Sequence, residues 1–148
     1  EYAEGWLAEA AYDFVNREIN AGTVFSGVHC GNDNLATQAV KALSERRMAG
    51  TVCVVGQDAE LAACQRIVEG TQTMTVYKPV EKLAKQAAED TIKIIKGESL
   101  NATDTIFDGT SEVPYVKLSP IKVTKSNMDQ VIIDGGFHRR EEVYLNIS

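Results

Sequence analysis

The chain is poor in the residues that signal specialised chemistry. Its 148 residues include 3 cysteines, 3 prolines, 2 histidines and 1 tryptophan. Cys30, Cys53 and Cys64 are odd in number and form no C-x-x-C pair, which excludes a fully paired disulfide framework and a thiolate metal cluster. Cys30 and Cys53 lie in strand-like runs and Cys64 on a helix face, so all three read as buried, inert thiols and leave the redox compartment open. Basic residues are in deficit, 15 against 21 acidic, for a net charge of −6. An acidic chain with no basic cluster is a poor ligand for phosphate backbones, so nucleic acid is not expected as a partner. No apolar run exceeds about ten residues, roughly half of what a membrane-spanning helix needs. There is no glycine-rich loop to cradle a phosphate.

Catalytic and metal constellations are missing as well. His29 and Cys30 are neighbours in a strand, point to opposite faces and cannot chelate one ion. Asp58 and Glu60 form no supported glycosidase pair, and no Ser-His-Asp or Cys-His arrangement can be assembled. We therefore expect no enzyme, no catalytic residue, no metal and no cofactor. His138, between Gly135-Gly136-Phe137 and Arg139-Arg140, reads as part of a solvated tail. Asn101-Ala102-Thr103 and Asn146-Ile147-Ser148 match the glycosylation pattern, which matters only in a eukaryotic secretory pathway. The chain starts at Glu1 with neither an initiator Met nor a signal peptide, and reads as part of a longer protein whose targeting information lies upstream.

What is present is the make-up of a folded domain: 44% hydrophobic and 24% charged residues, at a length that needs no covalent staple. Leu7, Ala11, Phe14 and Val15 form one helical stripe, ended by Asn20-Ala21-Gly22. Val24 to Cys30 reads as a strand. Asn32-Asp33-Asn34 offers caps to a second helix carrying Leu35, Ala39, Val40 and Leu43, with Arg46 and Arg47 at its end. Thr51 to Val55 is a β-branched run of the kind buried on both faces of a parallel sheet. A helix from about Ala59 to Val68 stops at Gly70, and Thr73 to Tyr77 is the next strand. Pro79 suits the first position of a long helix to Lys96, whose inner face would be Leu83, Ala84, Ala87, Ala88, Thr91, Ile92 and Ile95. Beyond Gly97 the pattern weakens. Thr105 to Phe107 and Tyr115 to Leu118 are short strand candidates, and Ser126 to Asp129 resembles a capping box for a helix through Ile133. Helices alternating with strands predict an α/β fold, a parallel sheet flanked by helices in three layers. The expected division is an incomplete α/β lobe over 1–118 and a crossover or tail over 119–148. Three strands make a small sheet, and none precedes the first helix.

Ligands of open α/β sheets bind beyond the carboxyl ends of the strands. Asn32, Asp58 and Lys78 follow the three strands. An amide, a carboxylate and an ammonium together offer the mixed donors and acceptors that a polyhydroxylated ligand requires. Asn32 and Asp58 read equally well as helix caps. Lys78, before Pro79, stands where a lysine does nothing for the helix. Trp6 reads first as a core residue and second as a flat platform for the apolar face of a pyranose.

At these positions the chain resembles the periplasmic D-xylose-binding family, within the periplasmic binding proteins of ribose-type fold. The resemblance is carried by Glu4-Gly5-Trp6-Leu7, by Gly31-Asn32-Asp33, by Val55-Gly56-Gln57-Asp58-Ala59-Glu60-Leu61-Ala62 and by the run Gly70 to Pro79. Leu118-Ser119-Pro120-Ile121 and Asp134-Gly135-Gly136-Phe137-His138 extend it to the tail. It implies two α/β lobes around a hinge, of which this chain matches the C-terminal lobe, truncated at its N-terminus. The ligand-binding residues it implies are Trp6 as the stacking residue and Asn32, Asp58 and Lys78 as hydrogen-bonding groups. The implied ligand is D-xylose or a related monosaccharide, bound without chemistry. The implied partners are the missing N-terminal lobe and a membrane protein, either an ABC permease for uptake or a sensor kinase. The implied location is the bacterial periplasm or a membrane-anchored extracellular site. The related effector lobes of lactose-repressor-type regulators remain the alternative, although they usually carry an aromatic where Gln57 stands between Gly56 and Asp58.

Overall fold

The computed structural model describes residues 1–147; Ser148, the end of the second glycosylation pattern, lies outside the described residues. The elements are α1 (Glu9–Asn20), β1 (Gly27–His29), α2 (Asp33–Glu45), β2 (Cys53–Gln57), α3 (Leu61–Glu69), β3 (Met74–Tyr77), α4 (Val80–Lys96), β4 (Asp104–Phe107), β5 (Glu112–Tyr115), β6 (Ile121–Val123) and α5 (Arg140–Val143). β1, β2 and β3 pair in parallel, with Val28 opposite Val54 and Gly56 opposite Thr75. The α/β alternation is the expected one. The sheet has a fourth strand, in the order β1-β2-β3-β6. Three residues of β6 are too few for a periodicity signal. Where one short helix was expected through Ile133, the chain makes a 3-10 turn at Lys125–Asn127 and a π-helical turn at Asp129–Ile133. The capping box there is formed by Thr124 and Asn127.

The chain divides into two compact units, residues 1–77 with 122–148, and residues 78–121. The tail, treated in the sequence as a segment from 119, belongs to the first unit from Lys122 onward. Val15, Leu43 and Val54 are fully buried in one cluster there, and Ile67 of α3 and Met128 and Ile132 of the tail are fully buried as well. Chain ends of helices follow sequence chemistry. Asn32 caps α2 by accepting from the Leu35 N–H at 2.9 Å, and Gly70 closes α3 in the left-handed conformation.

β2 departs from expectation. Val54 and Gly56 are buried, but Cys53 is exposed and Val55 only half-buried, so one face of the strand is covered and the other is not. Cys53 is therefore not a buried thiol: with a two-residue period it points opposite to Val52 and Val54. Cys30 and Cys64 are buried, and burial pushes their thiols up to about 11 and about 12. A Cβ on Gly56 would collide with the Asp33 carboxylate and press on Ala36 at 3.2 Å, so small residues here let α2 lie close to β2. Gly56→Ala is expected to cost about 1–3 kcal/mol as an overpacked core site, read as a lower urea midpoint with an unchanged slope.

The second unit contains α4 and the antiparallel hairpin β4–β5, with Thr105 opposite Pro114. The Asp108 carboxylate accepts from the Thr110 and Ser111 N–H groups, at 2.8 and 2.9 Å, and these bonds hold it below the usual carboxylate range. Pro79 takes the cap position of α4 rather than the first helical one. The expected inner face of α4 is not buried. The helix has no buried residue, and Leu83, Ile92 and Ile95 are each more than half exposed. The amphipathic stripe is present and exposed.

Candidate functional site

Because β1, β2 and β3 run parallel, their carboxyl ends share one edge of the sheet. Asn32 lies on the loop after β1, and its cap engages only Oδ1. The Nδ2 group, with two donors, bonds no other described residue. Asn32 is thus a helix cap, and capping leaves its amide donor pair over. Gln57 Nε2, at the end of β2, donates to the Gly31 carbonyl at 3.4 Å and ties the first two strand-end loops to each other.

Trp6 is not a core residue. It is 62% exposed, which leaves an aromatic face for a ligand. The indole is nevertheless held. Gly5 and Trp6 both have φ of +60°, in a 3-10 turn closed by the Trp6 N–H on the Ala3 carbonyl at 3.1 Å. The ring edge comes within 3.0 Å of where a Cβ on Gly31 would stand, so a larger residue there would press on the indole. The indole thus sits on the residue adjacent to Asn32.

Asp58 does not cap α3, whose cap position is Glu60. It stands in a turn with φ of +101°, followed by Ala59 at +54°. Left-handed conformations of non-glycine residues cost on the order of 1–3 kcal/mol each and persist where the surroundings hold them. The Asp58 N–H donates to the Val76 carbonyl at 2.8 Å. Burial raises the Glu60 carboxyl above its ordinary value, and the Asp33 and Asp58 carboxylates add to this. Burial likewise raises Asp33 and lowers Arg66.

The loops that carry Asn32 and Asp58 are thus bonded to each other, and Trp6 packs on the first of them at Gly31, all within the first unit. Lys78 follows β3 directly in the chain, is exposed, and opens the second unit. His138 is not solvated tail. Its Nε2 lies 2.8 Å from the Ala59 carbonyl, an acceptor, so that nitrogen carries the proton. Phe137 packs at a tilt against His138 and Tyr77, with ring centroids 4.4 and 4.7 Å away. The double glycine before Phe137 masked this in the sequence, because it reads as a loop. A cavity of about 500 Å³ lies beside the strand edge, between Trp6, Phe14, Val28, Gly31 and Leu35. Its lining is mainly apolar, includes Trp6 and Gly31, and includes neither Asn32 nor Asp58.

The periplasmic binding protein domain model matches residues 1–99. The chain belongs to the periplasmic binding protein family. D-xylose-binding periplasmic proteins of Haemophilus influenzae and Escherichia coli are 41% and 39% identical to it, over 97% of this chain and 44% of each relative. The chain therefore spans less than half the length of these relatives. Among solved structures, a carbohydrate transporter solute-binding protein from Chloroflexus aurantiacus, in complex with D-glucose, is 26% identical. It superposes with a TM-score of 0.81 over 93% of this chain and 42% of that one. An ABC transporter solute-binding protein from Clostridium phytofermentans with bound β-D-glucose is also 26% identical, with a TM-score of 0.80 over 94% and 45%. The α/β fold with its parallel strands and flanking helices is thus the fold of a periplasmic binding protein lobe.

Proposed function

We propose that the chain forms one wall of a monosaccharide site, with D-xylose or a close relative as ligand, in a binding protein that works outside the cytoplasm. The observation that carries this reading is the exposed Trp6 indole seated on Gly31, beside the spare Asn32 amide donors. An indole face suits the C–H face of a pyranose, and amide and carboxylate groups suit its hydroxyls. Asp58 accepts from ring hydroxyls, and Lys78, from its place after β3, donates to them. The sugar is bound and released unchanged; the chain is not an enzyme and uses no cofactor or metal. The relatives are named as D-xylose-binding periplasmic proteins, which favours a pentose over other sugars.

In this reading a second lobe closes on the sugar and shifts an open–closed equilibrium toward closed. The closed form engages a membrane partner, an ABC permease or a sensor kinase. The second unit supports a missing partner lobe. Val80, Ile94 and Ile95 on α4, and Ile106 and Phe107 on β4, are each more than half exposed. A contiguous lobe that packs on them would remove this apolar surface from water.

The test is calorimetric titration of the full-length protein with D-xylose, D-ribose, D-glucose and an unrelated amino acid, with Trp6 emission as an independent readout. Micromolar binding of at least one monosaccharide with a change in Trp6 emission is expected. Heat only with the amino acid, or with none of the four, would overturn the reading.

A further inference from the structure

We propose that Asp33 is a positioning residue that fixes the Asp58 carboxylate for ligand. The proposal rests on the reading of Asp58 as a sugar contact. Asp33 is completely buried at the first turn of α2, with no ligand-facing surface of its own. Its carboxylate is fully engaged. Oδ1 accepts from Gln72 Nε2 at 2.9 Å, and Oδ2 accepts from Thr75 Oγ1 at 2.8 Å and from the Glu60 N–H at 3.1 Å. Thr75 Oγ1 in turn accepts from the Ala59 N–H at 3.1 Å. Three successive backbone donors of the β2–α3 turn are thus fixed by three different acceptors: Asp58 by Val76, Ala59 by Thr75, and Glu60 by Asp33.

This arrangement explains how two left-handed non-glycine residues stand side by side. Each donor of the turn has one acceptor, and the acceptors belong to β3 and to the buried carboxylate, so the turn cannot relax without breaking a bond in the core. The device is braced from behind. Arg66 donates through Nε and Nη2 to Gln72 Oε1, at 3.0 and 2.9 Å, which orients the Gln72 amide toward Asp33. Gly56 leaves the space that the carboxylate occupies. His138 holds the Ala59 carbonyl from the tail. A turn fixed at every donor sets the position and Cα–Cβ direction from which the side chain at 58 is presented, which is what a weak, geometry-dependent sugar contact needs.

The experiment uses full-length protein and measures affinity for D-xylose by calorimetry. Thr75→Val keeps the shape of the side chain but removes the hydroxyl, and Thr75→Ser keeps the hydroxyl. Thr75→Val is expected to weaken binding at least tenfold, while Thr75→Ser stays within about threefold of the parent. In an Asp58→Ala background Thr75→Val should have no further effect, because there is no carboxylate left to position. The Asp58 and Ala59 amide resonances should move in Thr75→Val and remain in Thr75→Ser. If Thr75→Val does not fold, Gln72→Met, which takes a donor from Asp33 without touching the turn, carries the same expectations. A loss of affinity that is equally large with and without Asp58, or no loss at all, overturns the proposal. A silent Asp58→Ala overturns the site reading beneath it, and the positioning role with it.

Discussion

Residues 1–148 alone are expected to bind D-xylose with a Kd of about a millimolar or weaker, about a thousandfold above that expected of a micromolar full-length protein. The argument is one of halves. A micromolar site corresponds to about −8 kcal/mol, and a wall that supplies half of it retains about −4 kcal/mol. Trp6, Asn32 and Asp58 would still touch the ring, but its other face would stay in water. Calorimetry on both proteins, with circular dichroism to show that the short one is folded, makes the comparison. A low-micromolar Kd for the 148-residue chain would show that no second wall is needed.

Removing one charged contact has the next largest effect. Asp58→Ala in the full-length protein is expected to weaken D-xylose binding by about 10- to 100-fold, the range for a hydrogen bond to a charged group whose partner is left unsatisfied. Stability should change little, since the backbone donors of the turn keep their acceptors on β3 and Asp33 in the variant. Lys78→Ala is expected to lie in the same range. Two variants that bind as the parent does would remove both residues from the site.

The contrast between these contacts and their supports shows which parts of the molecule are legible in a sequence. Asn32 was readable because a cap is a local event, completed three residues later at Leu35. Gly70 and Gly97 ended helices for the same reason, through left-handed conformations that need no distant partner. Asp33 was not readable. Its partners Gln72 and Thr75 are 39 and 42 positions away and belong to the approach and body of a different strand. Nothing in the immediate neighbourhood of Asp33 distinguishes a buried carboxylate from a solvated one. Trp6 was ambiguous because a tryptophan before a helix suits a core or a platform, and only the open space above the indole decides between them. The exposure of Cys53 is hidden in the sequence because a continuous apolar run does not reveal whether both faces of a strand are covered. On α4 the stripe itself was legible, but a stripe does not say where its cover comes from.

The unequal burial of the three thiols gives the molecule an intrinsic attachment point. A maleimide dye would meet Cys53 in solvent, whereas Cys30 and Cys64 are shielded and hold their protons at neutral pH. Cys53 is the first residue of β2, and the Asp58 turn follows the other end of that strand. A fluorophore there would report from the end of β2 opposite the proposed sugar site, without an engineered handle.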